Sequence, residues 1–222
     1  MKLIFELDKA TLSFRQPFPF LDEDLGQLLV EKGFNEPEKG RNVLRVSPDG
    51  RESPAIRWER DEISVYYEPT RPFLTVEGKI PDGVAAAFDD ILSVSRDLLG
   101  DTFKSEVRWA ELNAIIRAVG SKSPLEAFRK YDWNPITAPL ASILGSDVKP
   151  FRLSVYSAED EDLNQPLSEV SDWIHVTVEP LVANPRYYFI RIVYRQSDVS
   201  SVSTFASRVE EIASKIISEL EV

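Results

Sequence analysis

Cysteine is missing from the chain altogether, and histidine occurs once, as His175. Without thiols there is no disulfide framework and no thiolate nucleophile or ligand. With a single imidazole, neither a His-rich zinc site nor the His-Glu-x-x-His arrangement can be built. Glycine is scarce, with nine in 222 residues. None falls in a Gly-x-x-x-x-Gly-Lys-Ser/Thr loop or a Gly-x-Gly-x-x-Gly turn, so backbone amides are not arranged to cradle a nucleotide phosphate. A Gly-x-Ser-x-Gly elbow is absent as well, and any triad would have to use His175. No Asn-x-Ser/Thr acceptor occurs, and no apolar run approaches the roughly 18 residues that would suggest a membrane span. The opening Met1-Lys2-Leu3-Ile4-Phe5-Glu6 carries a charge inside its first apolar stretch and no small-residue cleavage site, so a cytoplasmic location is expected. The shortage of Asn, Gln and Met beside absent Cys points towards a thermophilic source.

Charge of one sign prevails. The net charge of −11 divides as −6 over residues 1–104 and −5 over 105–222, with no basic half or tail. Phosphate neutralisation drives nucleic-acid affinity, so this balance argues against DNA, RNA and anionic membranes as partners. Hydrophobic content of 43% beside 28% charged residues is that of an ordinary soluble globular chain.

What the chain does contain is a pattern that occurs twice. Ile63-Ser64-Val65-Tyr66-Tyr67-Glu68-Pro69 returns 111 positions later as Ile174-His175-Val176-Thr177-Val178-Glu179-Pro180. After a turn read as three residues longer in the second copy, Leu74, Val76 and Ile80 align with Tyr188, Ile190 and Tyr194. A repeat of about 110 residues suggests a duplicated domain, because solenoids repeat every 20 to 50 residues. The units would be 1–104 and 105–222, either as two repeats or as one continuous domain.

Local signals fill in each half. A strand is expected over Lys2–Phe14, ended by Pro17 and Pro19, and then a helix with Leu21, Leu25, Leu28 and Leu29 on one face and Gly33 as its stop. Strands follow at Val43–Val46, from Ile56, over Ile63–Glu68 and at 73–80, with turns at Pro48-Asp49-Gly50 and Asp61-Glu62. A helix over 84–99 ends at Gly100. The second half repeats the order. It has a strand over Val107–Val119, a capping box at Ser123-Pro124-Leu125-Glu126, and a short helix over 139–144 ending at Gly145. Strands come next at 150–157, 173–181 and 187–195. A last helix over 199–220 is drawn by Val199, Val202, Ala206, Val209, Ala213, Ile216 and Leu220.

The predicted class is therefore α+β, with internally duplicated β-α-β(3-4)-α units forming one curved antiparallel sheet that carries helices on one face. That order resembles the TATA-box-binding-protein-like, or helix-grip, superfamily. The Arg-containing strand Arg108-Trp109-Ala110-Glu111-Leu112-Asn113 that opens the second half is similar to one in uncharacterised prokaryotic families of like length. The resemblance implies a fold. The basic, phenylalanine-flanked DNA saddle of that superfamily has no match in this sequence. A pair of ferredoxin-like domains is the nearest alternative.

Residues two apart share a face of a strand, so the apolar sets assign the others outward. Ile4, Glu6 and Asp8 are expected on the helix-free face, with Trp109, Glu111, Asn113 and Arg117 as their counterparts. Ser64, Tyr66 and Glu68 then correspond to His175, Thr177 and Glu179, and Glu77 to Arg191. The candidate ligand- or partner-binding set is Glu6, Trp109, Glu111, Asn113, Arg117, His175, Glu179 and Arg191. No catalytic residue, metal ligand or cofactor is assigned. The bland reading of the same face is a solvated sheet with cross-strand ion pairs of small value. The cluster Tyr131-Asp132-Trp133-Asn134 reads either as an interface anchor or as core rim. The acidic run 159–162 lacks EF-hand spacing and reads as a solvated loop.

Three function classes follow. The first is a non-enzymatic binding or assembly module acting through the helix-free face on a protein or a small polar ligand, with a homo-oligomer as a further possibility. The second is a carboxylate-dependent hydrolase, with or without a divalent cation, which requires a pocket holding Glu111 with Glu6 or Glu179. The third is nucleic-acid binding by analogy of fold, which requires Arg108, Arg117, Arg152, Arg191 and Arg195 on one surface.

Overall fold

In the computed structural model, residues 1–16, 22–36, 43–46, 52–68, 71–157, 165–166 and 169–222 are described. Pro17, Pro19, Leu21, the Pro48-Asp49-Gly50 turn, Pro69 of the repeat and the acidic run 159–162 lie outside them. The strands are β1 (Lys2–Phe14), β2 (Val43–Val46), β3 (Glu52–Arg60), β4 (Ile63–Glu68), β5 (Phe73–Gly78), β6 (Val107–Val119), β7 (Leu153–Ser157), β8 (Trp173–Leu181) and β9 (Asn184–Gln196). The helices are α1 (Asp22–Glu31), α2 (Pro81–Leu99), α3 (Phe103–Glu106), α4 (Pro124–Phe128), α5 (Asn134–Leu144), α6 (Val199–Ala206) and α7 (Val209–Glu221). None of these helices is long and apolar enough to cross a membrane.

The protein is α+β. Its strands form one sheet in the order β2-β3-β4-β5-β1-β6-β9-β8-β7, and every pairing is antiparallel. The two long strands that open the halves lie side by side at the centre, with Leu12 opposite Ala110 and Lys9 opposite Asn113. Alternation supplies the core. Ala110, Leu112, Ala114, Ile116 and Ala118 of β6 are all fully buried; α6 packs over β6 and β9, and α2 over β1 and β5. Core residues from both halves belong to one continuous apolar cluster. On β4, Ile63 and Val65 belong to that cluster, and Val176 of β8 packs against it.

Helix ends follow their local chemistry. The capping box at Ser123 and Glu126 starts α4, and Gly145 closes α5 at a φ of 64°. Asp61 turns the β3–β4 hairpin at a φ of 53°. At the far end of the chain, the Glu221 carboxylate accepts hydrogen bonds from Ser121 N (3.0 Å), Ser121 Oγ (2.7 Å), Lys122 N (3.1 Å) and Tyr188 OH (3.0 Å). That contact ties α7 to the loop after β6 and satisfies a phenol whose ring is buried. Replacing Glu221 by alanine is expected to cost about 1–2 kcal/mol in chemical denaturation, since several partly exposed charge-assisted bonds are lost together. A stability equal to the wild type would show that water replaces the carboxylate without penalty.

The structure corrects the sequence reading in five places. First, the turn of the second β-hairpin is shorter, not longer. Val182 and Ala183 alone separate β8 from β9, whereas four residues separate β4 from β5, so the extra residues lengthen the strands. Val65 faces Val76, and Val176 faces Ile192, so Val76 matches Ile192 rather than Ile190. A slip of two residues keeps the face and is invisible to a hydrophobic pattern. Second, Ile80 precedes the first turn of α2 and is half exposed, so it is no strand counterpart of Tyr194.

Third, the last helix is two helices broken at Ser207 and Arg208, with the apolar faces of both directed inward, so the periodicity runs through the break. Fourth, α5 begins at Asn134 and carries Pro139 in its interior. Pro135, not Pro139, takes the first-turn position. The fifth concerns Asp8. A bulge at Glu6 shifts the β1–β6 register between Phe5 and Leu7, and every later side chain of β1 changes face. Asp8, expected outward, lies opposite Ala114 on the helix side and is fully buried.

Candidate functional site

The helix-free face is where the chemistry collects. On β1 and β6 the side chains between the core positions are Lys9, Thr11 and Ser13, and Trp109, Glu111 and Asn113, directly opposite one another in the ladder. At one end of this central pair opens a cleft of about 470 Å³. Thr11, Ser13 and Thr75 line it from β1 and β5, and the Thr11 and Thr75 hydroxyls lie 3.3 Å apart. Among the described residues, Lys9, Arg15, Arg45, Arg71, Arg108 and Arg195 line it with two carboxylates, Glu68 and Glu111. In a chain of net charge −11 this is a local reversal of sign.

Each carboxylate of the cleft is held by cations. Glu111 Oε2 accepts from Arg195 Nε (2.8 Å) and Nη2 (2.6 Å), and Asn113 Nδ2 donates to its other oxygen. Arg195 is nearly buried. It donates to the Val170 carbonyl (3.0 Å) and lies 4.2 Å from the Trp109 ring centre and 5.5 Å from that of Trp173. Glu68 accepts from Ser53 Oγ (2.7 Å) and faces Arg45 at 3.5 Å and Arg71 at 3.8 Å. Arg45 also pairs with Glu77 and stacks on Tyr66, its guanidinium 4.3 Å from the ring centre.

Arg15 and Arg108 have no ion pair among the described residues and contribute uncompensated charge. One buried donor that lines the cleft, Trp109 Nε1, has no hydrogen-bond acceptor among the described residues. Burial and then the Arg45 charge hold the Lys9 ammonium below the usual lysine range, the expected effect of crowding cations together.

The eight residues expected to form a site do share the helix-free face, but they do not converge. Trp109 and Glu111 line the cleft. Asn113 lies further along β6, where it also accepts from Arg191 Nη2 at 3.3 Å. Glu6 sits at the bulge and pairs with Arg117, and Glu179 pairs with Arg152. His175 lies beside Ser154, with Nε2 2.8 Å from the hydroxyl, and stacks on Trp173. Burial first, and then Arg191 and Arg152, lower the His175 pKa, so the ring is neutral at neutral pH.

A serine hydroxyl against a neutral imidazole has the first contact of a nucleophile pair. No acid among the described residues orients the other ring nitrogen, however, and neither residue lines the cleft. It reads as a cross-strand polar pair between β7 and β8. Nor do three His, Asp or Glu side chains among the described residues gather to hold a metal ion.

Sequence reasoning missed Lys9, Arg15, Arg45 and Arg71. Lys9 was hidden by the bulge, because without it the parity of β1 places Lys9 inside. Arg15 and Arg71 lie just beyond strand ends, and Arg45 arrives from β2, four strands from β1 in the sheet order. The available signal was the run of arginines flanking strands in an acidic chain. The chain matches no known family model and no curated protein sequence.

Proposed function

We propose that this protein is a non-enzymatic binding module that holds an anionic ligand, bearing phosphate or carboxylate groups, in the cleft on its helix-free face. The observation that carries the reading is the excess of cations there, six against two carboxylates, in a strongly acidic chain. Arginine forks suit oxyanions because they donate in pairs with fixed geometry. The Trp109 indole N–H, without an acceptor among the described residues, supports it, since buried donors are normally satisfied. The hydrolase alternative asked for Glu111 beside Glu6 or Glu179. Glu111 instead faces Arg195, and both other carboxylates are paired elsewhere.

Nucleic acid is a weaker fit. Arg117 and Arg152 are neutralised by carboxylates, which leaves a local pocket rather than a basic track. In this reading the halves are a duplication with the TATA-box-binding-protein-like arrangement, and the protein works in the cytoplasm. The mirror order of strands about the β1–β6 pair supports the duplication.

Calorimetry with pyrophosphate, citrate and a single-stranded oligonucleotide tests the reading. Pyrophosphate or citrate is expected to bind in low salt and to lose at least about tenfold in affinity in Arg15→Ala and Arg108→Ala, each worth a charge-assisted contact. These two arginines are chosen because neither pairs with another side chain among the described residues. Retained affinity in both variants, or no binding by either small anion, would discard the cleft. Preference for the oligonucleotide would move the assignment to nucleic acid.

A further inference from the structure

Away from the cleft, the second half presents two apolar surfaces with nothing among the described residues packed on them. Helix α5 has no buried residue, and Ile136, Leu140 and Ile143 are 62%, 43% and 78% exposed. Their spacing of four and three puts them on one helical face. The second surface is a groove of about 390 Å³ walled by Val155 of β7, Val176 and Val178 of β8, and Ile212 and Ile216 of α7. The spacing on α5 is the one by which an amphipathic helix seats its anchors in an apolar groove.

We infer that the occupant of the groove is helix α5 of a second copy of this chain, given and received in a symmetric dimer. Charge argues for a second copy. Two chains of net charge −11 repel over most of their surface. Residues 134–144 carry no charged side chain, however, nor does the adjoining edge strand β7. The groove contributes one charge of each sign, Lys215 and Glu219. These are the neutral parts at which two copies can meet.

The edge strand points the same way. Isolated edges are normally blunted by charge or proline, and Leu-Ser-Val-Tyr-Ser has neither. The fold need not change for the exchange. Trp133 Nε1 donates to the Phe128 carbonyl at 2.8 Å, which ties the start of α5 to the end of α4. A two-fold makes the contact twice, so each copy gives one helix and one groove to the interface.

Light scattering on the full chain, at concentrations to about 100 µM, reads the outcome. The wild type is expected to be a dimer. Ile143→Glu on the helix and Ile216→Glu in the groove should each weaken association by at least about 30-fold, as loss of an apolar anchor does, while circular dichroism stays unchanged. Mixing the two variants should restore a weaker dimer, because the intact helix of one still fits the intact groove of the other. Should Ile216→Glu fail to fold, Val155→Lys on the exposed edge replaces it. A wild-type monomer overturns the proposal, whether α5 is open to hydrogen exchange or is protected by closing on its own groove. So does a dimer indifferent to both substitutions, or one that mixing does not restore.

Discussion

Replacing Asp8 by asparagine is expected to make the protein more stable at pH 8 and to leave it no more stable at pH 4. The carboxyl is fully buried, and neither oxygen has a hydrogen-bond partner among the described residues. Burial pushes its pKa from 3.8 up to about 7, against a small opposing pull from the Lys9 backbone N–H, whose geometry falls short of a hydrogen bond. A raised carboxyl pKa means that the folded state binds the proton more tightly than the unfolded chain does. Below about pH 4 both states are protonated, and the group costs nothing through ionisation. Between pH 4 and 7 the unfolded chain releases its proton first, so stability falls as pH rises.

Above 7 the whole penalty is present, on the order of 4 kcal/mol for a shift of this size. An asparagine amide, also unpartnered there, returns roughly 1–3 kcal/mol of that gain as its own desolvation cost. Denaturant unfolding from pH 4 to 8 should show wild-type stability declining towards the variant and then below it. If wild-type stability instead rises over that range in parallel with the variant, Asp8 has a partner in solution and its burial is relieved.

Asp8 also marks the boundary of what the sequence makes legible. The bounds of β1, β2, β4, β6 and β8 can be read from alternation and turn residues because both are local properties. The bulge at Glu6 is a property of pairing, since it exists only where Phe5 and Leu7 meet Ile116 and Ile115 on another strand. Leu3, Phe5 and Leu7 alternate perfectly in the sequence, yet Leu7 falls on the other face from Phe5. One inserted residue was enough to exchange Asp8 and Lys9 between core and cleft. The same limit explains the site. Trp109 and Glu111 were found because β6 keeps its parity from Trp109 onward, its register shift lying before that residue, whereas Arg45 depends on the placement of β2 and Arg15 on the chain beyond β1. The break in the last helix was hidden for the opposite reason, because both segments bury the same stripe.

Removing the Glu111 carboxylate should have opposite effects on the fold and on the ligand. Arg195 is 8% exposed, and Glu111 receives two of its N–H groups. Glu111→Ala therefore takes from a nearly buried guanidinium the counter-charge that Glu111 supplies, and is expected to cost about 3 kcal/mol, the lower part of the range for breaking such a pair. Arg195→Met should cost somewhat less, because a long apolar side chain keeps the packing between Trp109 and Trp173 while losing the cation–π contacts and the bond to the Val170 carbonyl. The double variant should fall short of the sum by about 1–3 kcal/mol, the size of coupling expected when two partners share one interaction.

Binding should move the other way. In a cleft that already carries an excess of positive charge, loss of one of its two carboxylates strengthens the field on an anion. Glu111→Gln, which keeps shape and part of the hydrogen bonding, is expected to bind pyrophosphate or citrate more tightly than the wild type although it unfolds more readily. A carboxylate acting as general acid or base would give the contrary pattern, with ligand held equally well and turnover lost. Additive stabilities in the double variant would remove Glu111 and Arg195 as a structural pair, and weaker anion binding by Glu111→Gln would show that the carboxylate belongs to the recognition of the ligand rather than to the restraint of Arg195.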